Sequence, residues 1–175
     1  GFTDKARKQA RSNVSSLREA IVDKGIPVLA TSSTCTFTLR DEYPHLLDVD
    51  NTGLREHIEL ATRFLWRKLD SGQTLPLKNL PLKVVYHTPC HMEKMGWALY
   101  TLELLRLIPG LELTVLDSRC CGIAGTYGFK RENYETSQAI GAPLFRQIEE
   151  SGADIVVTDC ETCKWQIEMS TSKRC

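Results

Sequence analysis

A chain of 175 residues, 42% hydrophobic and 25% charged, has room for one or two small domains with a buried core. Lysine plus arginine equal aspartate plus glutamate at 22 each, so no basic field is available to recruit nucleic acid and no polybasic stretch to grip a membrane surface. The most lipophilic stretch, Leu99 to Leu116, is broken by Glu103, Arg106, Pro109, Gly110 and Glu112, which excludes a membrane span there, and no basic-then-apolar secretion signal opens the chain. The chain starts on Gly1-Phe2 without methionine and stops on Cys175, which points to a fragment of something longer.

From Asp4 to Lys24, Ala6, Ala10, Val14, Leu17 and Ile21 recur at helical spacing, with Gly25 as the stop. Pro27 to Thr31 reads as a short buried strand, and Ser32-Ser33-Thr34-Cys35 as the loop at its carboxyl end. Pro44 is expected to break the short helix after Cys35. Asp50, Asn51 or Thr52 then caps a helix carrying Leu54, Ile58, Ala61, Leu65 and Leu69 on one stripe, with the paired charges from Arg55 to Arg67 on its wet face. Residues 71–82, with Gly72, Pro76 and Pro81, have linker composition.

Lys83 to Tyr86 is a strand running into His87-Thr88-Pro89-Cys90-His91, followed by a helix from about Glu93 to Leu107 that ends at Pro109-Gly110. Leu111 to Leu116 is the next strand and delivers Cys120-Cys121. A glycine-rich loop, Gly122 to Gly128, leads to a helix with Ile140, Leu144 and Ile148 on its core face. Gly152 and the strand Ile155 to Thr158 then deliver Cys160 and Cys163. Strand alternating with helix predicts an α/β fold, a parallel sheet with helices on its faces, and places each of these cysteines at the carboxyl end of a strand, where such folds bind ligands.

Five of the seven cysteines, Cys90, Cys120, Cys121, Cys160 and Cys163, fall in this one pattern. An odd total fits poorly with a complete disulfide framework. Several thiolates gathered in one pocket must protonate, oxidise or bind cations, and thiolates favour iron and zinc. Zinc asks for four ligands, normally as two chelating pairs, whereas here there is one Cys-x-x-Cys pair, one adjacent pair and Cys90. Adjacent residues point their side chains apart, so Cys120 and Cys121 suit two metal atoms better than one. Gly122, Gly125 and Gly128 allow backbone to approach a bulky cofactor and offer N–H groups to anionic sulfur; their spacing is neither the dinucleotide nor the phosphate-loop pattern. Structural zinc, buried structural thiols and a thiol–disulfide pair at Cys160 and Cys163 are the competing readings. No hydrolase constellation is present. His87 and His91 flank Cys90 and are expected to be structural, Cys175 is incidental, and Trp66, Trp97 and Trp165 are core or interface anchors.

An internal repeat is also present. At one constant offset Gly1, Phe2, Leu17, Ile21, Gly25 and Thr31 coincide with Gly128, Phe129, Leu144, Ile148, Gly152 and Thr158, and a one-residue slip puts Cys35 on Cys163. Residues 1–70 are therefore expected to hold the back part of a first repeat with connecting helices, 71–82 a linker, and 83–175 a complete second repeat.

The pattern Cys90, Cys120-Cys121-Gly122, Cys160-x-x-Cys163 resembles the cysteine-rich (CCG) domain of the heterodisulfide reductase B-like family. The strings Thr31 to Cys35, Asp41 to Pro44, Tyr86 to Met92 and Cys121 to Phe129 carry the same likeness, which covers essentially the whole chain. The resemblance implies an iron–sulfur cluster of an unusual, non-cubane [4Fe-4S] kind at Cys90, Cys120, Cys121, Cys160 and Cys163. Five thiolates exceed the four of an ordinary cube, though the cluster's shape stays open. Gly122, Gly125 and Cys35 are placed beside the cofactor; Ser32 or Ser33 stands where Cys160 would repeat, so Cys35 is expected to be a free thiol here.

The resemblance further implies an electron-transfer subunit, not itself catalytic, of a membrane-associated anaerobic respiratory dehydrogenase that oxidises glycerol 3-phosphate. Flavoprotein subunits would supply electrons, the quinone pool would receive them by way of the complex, and a ferredoxin-type domain would lie upstream in the chain. The expected location is peripheral, on the cytoplasmic side of the bacterial inner membrane. A fragment purified in air is expected to be liable to lose the cluster.

Overall fold

The computed structural model describes residues 2–175, so the Gly1 to Gly128 match of the repeat lies outside the described residues. In the first half, helix α1 (Thr3–Arg18) runs on through a π-helical turn (Glu19–Asp23) to strand β1 (Val28–Ala30). Helix α2 (Ser33–Phe37), a second π-helical turn (Thr38–Glu42), helix α3 (Tyr43–Leu47), strand β2 (Ile58–Leu60) and helix α4 (Ala61–Asp70) follow. The second half has strand β3 (Lys83–His87), helices α5 (Cys90–Met95) and α6 (Ala98–Arg106), strand β4 (Glu112–Val115), helix α7 (Tyr134–Glu150), strand β5 (Ile155–Thr158) and helix α8 (Glu161–Ser170).

The strands form two sheets, β1-β2 and β4-β3-β5, and every pairing is parallel. The α/β expectation therefore holds, with the cysteines at the carboxyl ends of the strands. Val84-Val85-Tyr86-His87 is buried throughout because β3 lies between two parallel neighbours, the position that demands a continuous apolar run. One core gathers Leu144, Ile148, Val156 and Ile167 around Val85, together with Cys121, Cys160 and Cys163; the other joins Ala10, Val14, Ile21, Leu54 and Ile58. The halves meet where the Ser33 N–H donates to the Asp159 carbonyl at 2.7 Å. Residues 71–82 carry no helix or strand, and Leu80 N–H donates to Pro109 O at 2.8 Å.

Several expectations are corrected. Residues 54–69 are not one helix: Ile58-Glu59-Leu60 is a fully buried strand against β1, and the helix begins only at Ala61. Glu59 is accordingly not on a wet face; it is buried and held by Arg67 at 2.9 Å and Arg63 at 3.4 Å. The helix after Cys90 is two helices, because Gly96 at φ 68° closes α5 with a left-handed cap before α6 starts. Pro44 does not break its helix. Helix continues from Ser33 to Leu47 through the π turn, and Asn51 Nδ2 donates to the Leu39 and Arg40 carbonyls at 2.7 and 3.0 Å, in place of the N–H that Pro44 lacks. Cys35 lies on α2, not in a loop. Ile140 is exposed, since the buried stripe of α7 runs Ser137, Gly141, Leu144, Phe145, Ile148. Trp165 is also exposed.

Candidate metal centre

Each strand end of the second sheet delivers sulfur to the same place. Pro89, extended at ψ 151°, turns the chain off β3 so that Cys90 opens α5. The segment after β4 carries Cys120 to the rim and Cys121 into the core. Cys160 is the extended residue before α8, and Cys163 lies in that helix's first turn.

Cys121, Cys160 and Cys163 are buried, whereas Cys90 and Cys120 are exposed. Cys121 and Cys163 have their Sγ atoms 3.2 Å apart, well beyond the roughly 2.05 Å of a disulfide. A cavity of about 90 Å³ is lined by His87, Cys90, Cys120, Cys121 and Cys163, with Arg119 at its wall. His87, Cys121 and Cys163 offer donor atoms that all lie within 4.8 Å of one another, and all three residues are buried.

Charge is unevenly shared among these thiols. Hydrogen bonding from Cys120, then from Cys163, favours the thiolate of Cys121, and the same contacts hold Cys120 and Cys163 protonated. Cys160 is brought down to about 5 by Cys163, with further help from the hydroxyls of Thr162 at 3.2 Å and Thr34 at 3.5 Å. Burial, then the charges of Cys121 and Cys160, raises Cys90. Five thiols thus compete for few negative charges, the condition that a bound cationic centre relieves.

The glycine-rich loop is held from behind. A Cβ on Gly122, at φ 86°, would stand 2.0 Å from the Ser137 carbonyl oxygen, and one on Gly141 would stand 2.6 Å from the Cys121 carbonyl oxygen. Helix α7 therefore lies flush on the loop, and the Ser137 hydroxyl, itself accepting from Gln166 Nε2 at 3.0 Å, donates to Gly122 O at 2.9 Å. The Gly122 N–H donates to Cys120 Sγ at 3.3 Å. Gly125, at φ 67°, faces open space.

Cys35 is exposed and lies outside the cavity; its neighbour Thr34 is the residue that reaches Cys160. His91 Nδ1 is 3.1 Å from Thr34 Oγ1, and its ring stacks on Phe37 with centroids 4.8 Å apart. Sequence reasoning missed Thr34, Thr162 and Asp159. The buried Asp159 carboxylate accepts from the Tyr86 hydroxyl at 2.6 Å and from Thr101 at 3.1 Å, anchoring the residue just before Cys160. An acid standing between an apolar strand and a cysteine was the available signal.

Residues 84–168 match the Cysteine-rich domain (CCG) family. A lactate utilization protein A from Bacillus licheniformis is 30% identical over 91% of this chain and 67% of its own length. The chain belongs to the cysteine-rich (CCG) domain family. An anaerobic glycerol-3-phosphate dehydrogenase subunit from Escherichia coli is 86% identical over the whole of this CCG chain, which covers 44% of that protein. An uncharacterized iron–sulfur protein of Methanocaldococcus jannaschii is 26% identical over 99% of the chain and 32% of its own length. This CCG chain thus spans less than half the length of those two relatives. Among its described residues no helix is long and apolar enough to cross a membrane.

Proposed function

We propose that this chain is an electron-transfer iron–sulfur module of an anaerobic glycerol-3-phosphate dehydrogenase. In this reading Cys90, Cys120, Cys121, Cys160 and Cys163 hold the cluster. The observation that carries it is that Cys90, Cys120, Cys121 and Cys163 line one cavity from three separate strand ends, with Cys160 against Cys163 though not itself on the lining. Residues present fit such a group: the donor set is soft and anionic, and His87 Nδ1 is buried with no hydrogen-bond partner. A non-cubane [4Fe-4S] centre would use all five thiolates; the missing side chain of Gly122 makes room for α7 behind the Cys121 loop, and Gly125 lies in the same loop.

When bound, a cluster supplies one-electron redox chemistry. The chain's own part is to fix the ligands and exclude water. Asp159, Tyr86 and Thr101 anchor the backbone before Cys160, the hydroxyls of Thr34 and Thr162 hydrogen-bond with its sulfur, and α7 presses the Cys121 loop into the core. Electrons would arrive from flavoprotein subunits and leave towards the quinone pool by way of the complex, with a ferredoxin-type domain upstream and the assembly peripheral to the inner membrane's cytoplasmic face. The two halves support a repeat reading. Helix, Gly25 at φ 65°, β1 and α2 with Cys35 follow the order of α7, Gly152 at φ 65°, β5 and α8 with Cys163. Residues 1–70 would be the back part of a first repeat, 71–82 the connection and 83–175 the full second one.

Iron, acid-labile sulfide and zinc measured on protein purified without oxygen, with electron paramagnetic resonance on the same sample, test this function. Several irons with matching sulfide are expected, lost on Cys121→Ser. One zinc without sulfide would favour the second reading, a structural zinc site, for which the clustered donors of His87, Cys121 and Cys163 speak.

A further inference from the structure

A second cavity, of about 160 Å³, lies between the halves and is lined by Arg40, Arg55 and Lys94, with Asp41, Phe37 and Trp97. Three cations face one carboxylate there, and Asp41 is already paired with Arg55. Among the described residues neither Arg40 nor Lys94 forms an ion pair, and the nearby Glu59 is taken by Arg63 and Arg67. Arg40 is only partly solvated: burial, then the charge of Arg55, works against its protonated form. The charges of Asp41 and Glu56 offset this only in part, and Arg63 adds to it, so a partly desolvated guanidinium is left short of negative charge.

The cations are also held in place before any ligand arrives. Arg40 Nη1 donates to the Ile58 carbonyl at 2.7 Å and to that of Arg55, while its guanidinium carbon lies 4.8 Å from the centroid of the Trp97 ring. Arg63 lies 4.5 Å from the centroid of that same ring, and Lys94 Nζ lies 5.3 Å from that of Phe37. Carbonyls and aromatic faces can fix cations but cannot neutralise them. Forked guanidinium groups fixed in this manner match the oxygens of a phosphate, and preorganisation lowers the entropy cost of binding.

We propose that this cavity is a binding site for a small phosphorylated anion, its phosphate held by Arg40, Arg55 and Lys94. A volume of about 160 Å³ favours a low-molecular-weight ligand over an acidic peptide segment. Arg40 and Arg55 come from the first half and Lys94 from the second, so the ligand bridges the two. The site stands apart from the metal reading, because none of the five cysteines lines this cavity.

The test is calorimetry and phosphorus NMR with inorganic phosphate on the full-length protein purified without oxygen, at ionic strength held constant with sodium chloride. Saturable binding at one site is expected, weakened at least tenfold in Arg40→Gln and in Lys94→Gln and unchanged in Arg131→Gln, whose exposed side chain lies outside this cavity. Lys94 is exposed, so its variant keeps the test decisive if Arg40→Gln fails to fold. Equal responses from wild type and both variants, or a response that chloride reproduces, overturn the proposal. So does a protein that ignores phosphate while Lys94→Gln weakens its association with another protein of the complex, which would hand these cations to a protein interface.

Discussion

Cys35 and Cys163 hold matching places in the two halves but meet different surroundings: Cys163 is buried against Cys121, and Cys35 stands exposed on α2. Alkylation should separate them. In the metal-free protein the exposed Cys35 is expected to react with iodoacetamide well ahead of the buried Cys121, Cys160 and Cys163, and Cys90 and Cys120, exposed but held protonated, more slowly than Cys35. Metal loading should then protect Cys90 and Cys120 and leave Cys35 as reactive as before, read residue by residue by mass spectrometry. Protection of Cys35, or continued reactivity of Cys90, would contradict the five-ligand assignment. Two glycines give a second residue-level test. Gly96 needs its left-handed backbone but has open space around it, so Gly96→Ala should cost about 1–2 kcal/mol. Gly122 adds a collision with the Ser137 carbonyl oxygen, so Gly122→Ala should cost more, about 2–5 kcal/mol from strain and overpacking together. Denaturant midpoints rank the two, and a Gly122→Ala protein as stable as the Gly96→Ala one would mean that α7 does not press on the loop. The cysteine spacing and the glycine stops at Gly25 and Gly152 were legible because each depends on one local requirement, whereas the stop at Gly96 and the contact of Gly122 with α7 were not. Thr34 was not, since only folding brings it beside Cys160 across 126 positions of chain.

At the level of elements, the strands of the second sheet could be read from their apolar runs and flanking turns, whereas β2 could not. Ile58-Glu59-Leu60 spans three residues, and Leu54, Ile58, Ala61 and Leu65 also satisfy a helical stripe, so periodicity alone prefers the longer element. What decides is β1, whose Val28 to Ala30 find their parallel partners in Ile58 to Leu60. The acidic residue in a buried strand was hidden for the same reason: its partners Arg63 and Arg67 lie one and two turns into the next helix. Glu59→Gln leaves the part-buried Arg63 facing an amide while Arg67 stays solvated, and is expected to destabilise the protein by about 1–2 kcal/mol, the worth of a charge-assisted hydrogen bond. Thermal unfolding checks this, and a loss within a few tenths of a kcal/mol would show the arginines to be satisfied by water instead. The split between α5 and α6 is simpler, since Gly96 can occupy a left-handed turn at no steric cost and the chain restarts at Trp97.

Across the whole molecule, the proposed metal site and the junction between halves share one segment. The Asp159 carbonyl accepts from Ser33 N–H at the start of α2, the Asp159 side chain is anchored by Tyr86 and Thr101, and the next residue is the ligand candidate Cys160. Thr34, in the first turn of α2, touches Cys160 directly. A bound centre should therefore stabilise more than the loops that hold it. Binding linked to the folded state contributes RT ln(1 + [L]/Kd), about 4 kcal/mol at a thousandfold excess over Kd. Stripping the metal without oxygen is expected to lower the unfolding midpoint and to speed hydrogen exchange at residues 88–96, 117–128 and 159–166, the strand-end segments around the thiols. It should also speed exchange at residues 33–37, which hold none of the five ligands, because α2 leans on Asp159 and Cys160. The core of Ala10, Val14 and Ile21 lies beyond that contact and should keep its protection. Exchange changes confined to the second half would show that the junction bears no load from the centre, whereas a uniform rise through α1 would mean that the halves unfold as one unit.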